Sequence, residues 1–360
     1  MHNTRRAFLQ GAGLSAGAAL LGAVPKKPAV PTTAAAASLP LVKPRALKEG
    51  DTVALVSPSS YVFDTWRIEL AVTRLAALGL KTKLGRNAKA RHGYMAGTAR
   101  ERVEDLHEAF SDKSVAGVFC LGGGYGTERL LDSLDYGLIR RNPKILIGYS
   151  DITGLHLAIG RKAGLVTFHG PVALAALPPW TLEYFKKALF VAEPIGELGN
   201  PPETDTLAPM FPRHTIVPGR ARGPIVGGNL TLISTTMGTP YEIDTKGKIL
   251  FLEDTGEAPY RVDRMLVQLK LAGKLAEAAG IVWGTCTECT PSNSSFEINL
   301  SMSDLLDELL GDLGKPVLAG LVFGHTKEKV TLPIGVECEL DAGEKKVVVT
   351  EAATIASLSS

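Results

Sequence analysis

What narrows the fold most is a repeating alternation between residues 51 and 190. Short, continuously apolar, β-rich runs alternate there with stretches whose apolar residues fall at helical spacing. Thr52 to Ser57 reads as a strand, and Trp66 to Leu78 reads as a helix with one apolar face. Val115 to Leu121 is a second strand, running straight into Gly122-Gly123-Gly124-Tyr125-Gly126. Lys144 to Gly148 is a third, ending at Tyr149-Ser150, and Leu165 to His169 is a fourth. Strands that are apolar at every position are buried on both faces, the condition of a parallel sheet covered by helices. Ligands of such sheets sit beyond the carboxyl ends of the strands, and the glycine loop, Ser150 and His169 all lie at such ends.

Prolines at 194, 201, 202, 209, 212 and 218, with Pro224 just beyond, interrupt this pattern. The expected organisation is therefore an N-terminal α/β domain over 45–192, a Pro-rich linker over 193–222, and a smaller C-terminal domain over 223–352. The C-terminal part reads as α/β with mixed β structure. Its strands include Lys248 to Glu253, Gly280 to Trp283 and Val317 to Phe323, and Val347 to Thr350 reads as an edge strand. A helix over Tyr260 to Ala272 places Val262, Met265, Leu266 and Leu269 at core spacing.

The chain has 360 residues, enough for two cores, with 45% hydrophobic and 21% charged residues. Its net charge is +2, but residues 1–37 hold Arg5, Arg6, Lys26 and Lys27 and no acid, so the body is slightly acidic. A near-neutral body without a basic run argues against nucleic acid as a partner. Thr4-Arg5-Arg6-Ala7-Phe8-Leu9 precedes a Gly- and Ala-rich apolar segment ending near Val24, with small residues Ala34 to Ala37 beyond it. That segment is weakly hydrophobic for a membrane span, and the pattern resembles a Tat-type export signal over 1–37. The expectation is an exported, periplasmic protein with no stable membrane insertion once the signal is removed. An uncleaved anchor is the other reading.

Four cysteines are present, Cys120, Cys286, Cys289 and Cys338. Cys120 fits a buried strand. Cys286 and Cys289 form one C-x-x-C, which can oxidise in an exported chain. A zinc site would need a second ligand pair, which the sequence does not supply, so neither metal nor cofactor is expected.

Ser150 sits where an apolar strand turns into the helical pattern Asp151-Ile152-Thr153-Gly154-Leu155-His156. A serine there projects its hydroxyl from the sheet edge near a helix N-terminus, where backbone N–H groups can hold an oxyanion. The N–H of Asp151 is the natural first donor. Ile152 replaces the second glycine of G-x-S-x-G, so the turn is elbow-like only, and a plain helix N-cap competes with the nucleophile reading. The glycine loop lets backbone N–H groups approach a substrate oxygen without a Cβ in the way. A serine nucleophile needs a base and a group that orients it. His325, in Phe323-Gly324-His325-Thr326, and His169 both follow strands, and Glu253 and Asp254 both close one. Spacing leaves His325 against His169, and Glu253 against Asp254, open.

The segments Gly124-Tyr-Gly…Arg129-Leu-Leu, Ile147-Gly-Tyr-Ser-Asp-Ile-Thr153, Phe168-His-Gly-Pro171 and Gly228-Asn-Leu230 resemble the LD-carboxypeptidases of serine peptidase family S66. So do Gly238-Thr-Pro-Tyr241, Ile249-Leu-Phe-Leu-Glu-Asp254, Pro259-Tyr-Arg-Val-Asp-Arg264 and Gly324-His325. The family includes muramoyl-tetrapeptide carboxypeptidases and related microcin-immunity hydrolases. The resemblance implies a flavodoxin-like, glutamine-amidotransferase-like first domain and a catalytic triad of Ser150, Glu253 and His325. It also implies an oxyanion hole from the backbone of Gly124 and Asp151, a murein tetrapeptide substrate, and a homodimer. Two departures stand out. The family's usual Arg-Gly-Gly-Tyr-Gly begins here with Gly122, and Cys286 occupies a position more often aromatic, whereas Cys289 matches a common cysteine. The alternatives are a microcin-immunity-like or other acyl-amide hydrolase, and a non-catalytic periplasmic protein that binds wall peptides.

Overall fold

The computed structural model describes residues 39–202, 210–290 and 300–356. The expected export signal over 1–37 lies outside them. The first five strands are β1 (Thr52–Val56), β2 (Lys81–Leu84), β3 (Val115–Cys120), β4 (Ile145–Gly148) and β5 (Thr167–His169). They lie parallel in the spatial order β2-β1-β3-β4-β5. Helices Trp66–Ala77, Ala99–Ser111, Tyr136–Arg141 and Thr153–Ala163 fall between successive strands. The apolar runs become the central strands, and every residue of β4 and β5 is buried. β2, with the sequence Lys-Thr-Lys-Leu, forms the exposed edge, where lysines discourage pairing with another chain. It escapes a reading based on apolar runs for that reason. Helix Ala99–Ser111 starts at a reciprocal capping box between Thr98 and Glu101, and buries Val103, Leu106 and Phe110.

The later strands are β6 (Gly196–Glu197), β7 (His214–Val217), β8 (Arg220–Asn229), β9 (Ile249–Thr255), β10 (Gly280–Thr287), β11 (Val317–Ala319), β12 (Leu332–Ile334), β13 (Glu337–Asp341) and β14 (Lys346–Val349). Eight of them form a mixed sheet in the order β6-β14-β13-β8-β9-β10-β11-β7. β8 to β11 are parallel, and the flanking pairs are antiparallel. The Pro-rich stretch thus supplies both sheet edges, β6 and β7. β14 is not an edge strand, because the two residues of β6 pair along its outer side. β11 ends at Ala319, so His325 stands on the loop beyond it rather than directly at a strand end.

β12 leaves this group and pairs antiparallel with β5, Leu332 opposite His169. It carries the chain from the His325 loop into the first sheet. One buried cluster spans both sheets, with Leu55, Phe119 and Phe168 on one side and Phe251, Leu318 and Phe323 on the other. Among the described residues no helix is long and apolar enough to cross a membrane.

Candidate active site

β4 delivers the chain to a strained turn. Tyr149 is extended, and Ser150 has φ of 66°, a left-handed conformation that costs a non-glycine residue on the order of 1–3 kcal/mol. Ser150–Ile152 forms a single tight turn that runs into helix Thr153–Ala163. Buried polar contacts hold it. The Asp151 carboxylate accepts from Ser59 Oγ at 2.6 Å and from the Thr127 N–H at 2.9 Å. Thr127 Oγ1 in turn donates to the Asp151 carbonyl at 2.5 Å. On the helix, His156 Nε2 lies 2.9 Å from the Gly148 carbonyl, which fixes the proton on that nitrogen as donor. The Asp151 side chain is therefore committed to the scaffold, and its backbone N–H stays at the start of the helix.

The glycine loop lies against this turn. A Cβ on Gly123 would come within 2.9 Å of Ser150 Cβ, so Gly123 is the loop residue that touches the serine. Gly124 has φ of 113°, and a Cβ there would collide with Ser60. Ser60 accepts from the Tyr125 N–H at 3.1 Å, and its own N–H donates to the Gly123 carbonyl at 3.3 Å. Arg102, 1% exposed, donates to the carbonyls of Pro58 at 2.8 Å and Gly126 at 2.9 Å. It binds the loop after β1 to the loop after β3. Burial pulls its pKa down, with Asp151 opposing. Sequence reading missed Arg102, Thr127 and Ser59. The only signal was an arginine and an aspartate, Asp105, among the buried positions of an otherwise amphipathic helix.

The second sheet brings the remaining parts. Glu253, fully buried on β9, receives a hydrogen bond from His325 Nδ1 at 2.7 Å, and His325 Nε2 lies 2.9 Å from Ser150 Oγ. Burial raises the Glu253 pKa, and the His325 contact opposes that rise. Gly324 makes room, since with φ of 84° it sits where a Cβ would overlap the Glu253 carboxylate. Asp254 points elsewhere, accepting from Asn229 Nδ2 and from the N–H and Oγ1 of Thr231, each at 2.9 Å. His169 is buried behind the site. Its Nε2 is 3.9 Å from Glu253 Oε1, beyond hydrogen-bond range, and burial holds its pKa well below 6.5. Elsewhere among the described residues, His107 Nε2 accepts from the Asp135 N–H at 2.9 Å.

Cys286 and Cys289 form a disulfide, and Cys120 and Cys338 are buried thiols. Among the described residues no cluster of three or more His, Cys, Asp or Glu side chains could hold a metal ion. Chemically, the assembled group is a hydroxyl, a base within reach of its proton, and a buried carboxylate on the far ring nitrogen. That is the equipment for acyl transfer.

Family models for the LD-carboxypeptidase N-terminal domain and C-terminal domain match residues 53–170 and 222–340. A probable murein peptide carboxypeptidase of Bacillus subtilis is 43% identical over 312 residues, covering 85% of this chain and 94% of the relative. The MccF-like protein of Bacillus anthracis superimposes with a TM-score of 0.76 at 32% identity, over 86% of this chain and 99% of that one. The muramoyltetrapeptide carboxypeptidase of Oxalobacter formigenes does so with a TM-score of 0.72 at 31% identity, over 84% of this chain and 100% of that one. The chain belongs to the LD-carboxypeptidase family, serine peptidase family S66.

Proposed function

We propose that this serine carboxypeptidase hydrolyses the bond between the L-centre of a diamino acid and the terminal D-alanine of a murein tetrapeptide. The observation that carries the reading is the continuous line from Ser150 Oγ through the His325 ring to Glu253, 2.9 Å on one side and 2.7 Å on the other. Ser150 Oγ attacks the scissile carbonyl carbon while His325 Nε2 takes its proton. The backbone N–H groups of Asp151 and Gly124 receive the oxyanion. The C–N bond breaks as His325 returns the proton to the D-alanine nitrogen. A water deprotonated by His325 then opens the ester, releasing tripeptide and restoring Ser150. Glu253 holds the imidazole in the tautomer this cycle needs and balances its charge.

The murein-peptide names of the Bacillus and Oxalobacter proteins support the substrate class. Likeness to the MccF-like protein supports a second reading, a microcin-immunity-like amide hydrolase using the same three residues, and Gly122 in place of arginine leaves room for it. Mass spectrometry of a muramyl-tetrapeptide digest separates them. Loss of D-alanine with wild type and none with Ser150→Ala is the expected outcome. Intact tetrapeptide after prolonged incubation would overturn the murein reading.

We also propose a Tat-exported, periplasmic protein, supported by Arg5-Arg6 and the weakly apolar segment after them. Export that survives replacement of both arginines by lysine would contradict it. The strand order β2-β1-β3-β4-β5 supports a flavodoxin-like first domain. The two family matches support domains over 45–192 and 223–352, while β12 crosses into the first sheet and β6 and β7 of the 193–222 stretch border the second. A homodimer rests on family resemblance, and a monomeric mass in sedimentation would exclude it.

A further inference from the structure

A carboxypeptidase must recognise a free terminal carboxylate, and the three residues proposed for catalysis supply no positive charge dedicated to it. Arg261 and Arg264, on the helix that follows β9, do not fill the gap. Both are exposed, Arg261 pairs with Glu257 at 3.6 Å, and both lie over the Tyr260 ring. Arg102 is committed to two backbone carbonyls, and Arg129 is exposed beside Tyr125 on the glycine loop.

Lys329 is different. It lies on the same loop as His325, between β11 and β12, and is only 5% exposed. Its backbone N–H donates to Thr181 Oγ1 at 3.0 Å, and the neighbouring Val330 N–H to the Val322 carbonyl at 3.0 Å, so its place on the loop is fixed. The ammonium stands 4.3 Å from the centre of the Tyr149 ring. That same ring meets His325 edge-on at 4.9 Å, and Tyr149 is the residue before Ser150. Among the described residues no carboxylate lies within ion-pair distance of Lys329, and its ammonium makes no hydrogen bond. The one anion it senses is Glu253, whose carboxylate already serves His325. Burial draws the Lys329 pKa down to about 8, with Glu253 opposing.

An ammonium on a residue only 5% exposed, without an anionic partner, carries a desolvation cost, and contact with an aromatic face offsets only part of it. The cost is recovered when a ligand brings the missing anion. We propose that Lys329 is the specificity-determining residue that receives the terminal carboxylate of the substrate, with Tyr149 as the platform that holds it beside Ser150. This rests on the murein-peptide reading, because it supposes a substrate ending in a free D-alanine carboxylate. The chemistry also explains why one loop carries both groups. The base that protonates the leaving amine and the cation that holds the carboxylate of the same D-alanine must keep a fixed separation.

The test compares the tetrapeptide acid with its C-terminal amide, using the Ser150→Ala protein for binding and the Ser150 protein for turnover. With Lys329 present, the acid is expected to bind about 10- to 100-fold more tightly than the amide, the range of a charged hydrogen bond. Lys329→Met should lower acid affinity to that of the amide and leave amide affinity unchanged, while Lys329→Arg keeps most of the preference. Arg129→Met should leave the preference intact. Thermal melts of each variant establish that it is folded, and Lys329→Gln replaces Met if that variant is not. Equal losses for acid and amide, or no loss for either, would overturn the assignment. Failure of the Ser150 protein to bind or cleave either peptide would instead remove the murein reading itself.

Discussion

A single methyl group at residue 324 would strike the Glu253 carboxylate, on the oxygen that His325 uses. Gly324 also holds φ of 84°, which an L side chain tolerates poorly. Gly324→Ala should therefore tilt the imidazole away from Ser150 and lower kcat by roughly 10²- to 10⁴-fold, the scale of losing the orienting carboxylate. Steady-state kinetics beside a thermal melt check this, and wild-type kcat in a folded variant would contradict it. The same residues mark the limit of sequence reading. Ser150 was legible because a polar Tyr-Ser-Asp follows an unbroken apolar run. Glu253 and Asp254 were not separable by spacing, since both end one strand. Consecutive strand residues point to opposite faces, so one reaches His325 and the other caps the short helix Leu230–Thr235 through Thr231. Only the family resemblance favoured Glu253 and His325; His325 lies 2.7 Å from Glu253 and 2.9 Å from Ser150 Oγ.

At the scale of elements, the unit that positions the serine is β4, the turn and helix Thr153–Ala163. His156 ties the helix back to the strand through the Gly148 carbonyl, and burial pushes its pKa down to about 4. Between 6.5 and about 4 the unfolded chain takes up a proton at this histidine that the folded chain refuses. Its neutral burial therefore contributes stability that is lost as pH falls through that window. His169 shifts in the same direction, while Glu253, raised by burial, shifts in the opposite sense. His156→Gln keeps a donor for Gly148 and removes the titration. Its melting temperature should fall less steeply than that of wild type between pH 6.5 and 4, and parallel slopes would refute the assignment. The elements themselves were legible where burial on both faces made them continuously apolar, as in β1, β3 and β4. β2 and β12 were not. β2 alternates lysines at an exposed edge, and β12 is three residues whose pairing depends on a strand far away in sequence.

Across the whole molecule, the proposed nucleophile and its partners come from different sheets, and their alignment depends on what joins those sheets. β12, the shared core and the Asn229 N–H to Thr153 Oγ1 bond at 3.0 Å are the visible ties. The division into two halves was legible from the proline-rich break, but not the way β12 crosses back or the way β6 and β7 border the second sheet. In the proposed mechanism Ser150 becomes acylated across this junction. Rapid acid quench of wild type during tetrapeptide turnover, followed by peptide mass mapping, tests it directly. The prediction is a tripeptidyl mass added to the fragment containing Ser150, absent from Ser150→Ala. Turnover with no adduct on that fragment, or an adduct that persists in Ser150→Ala, would contradict it.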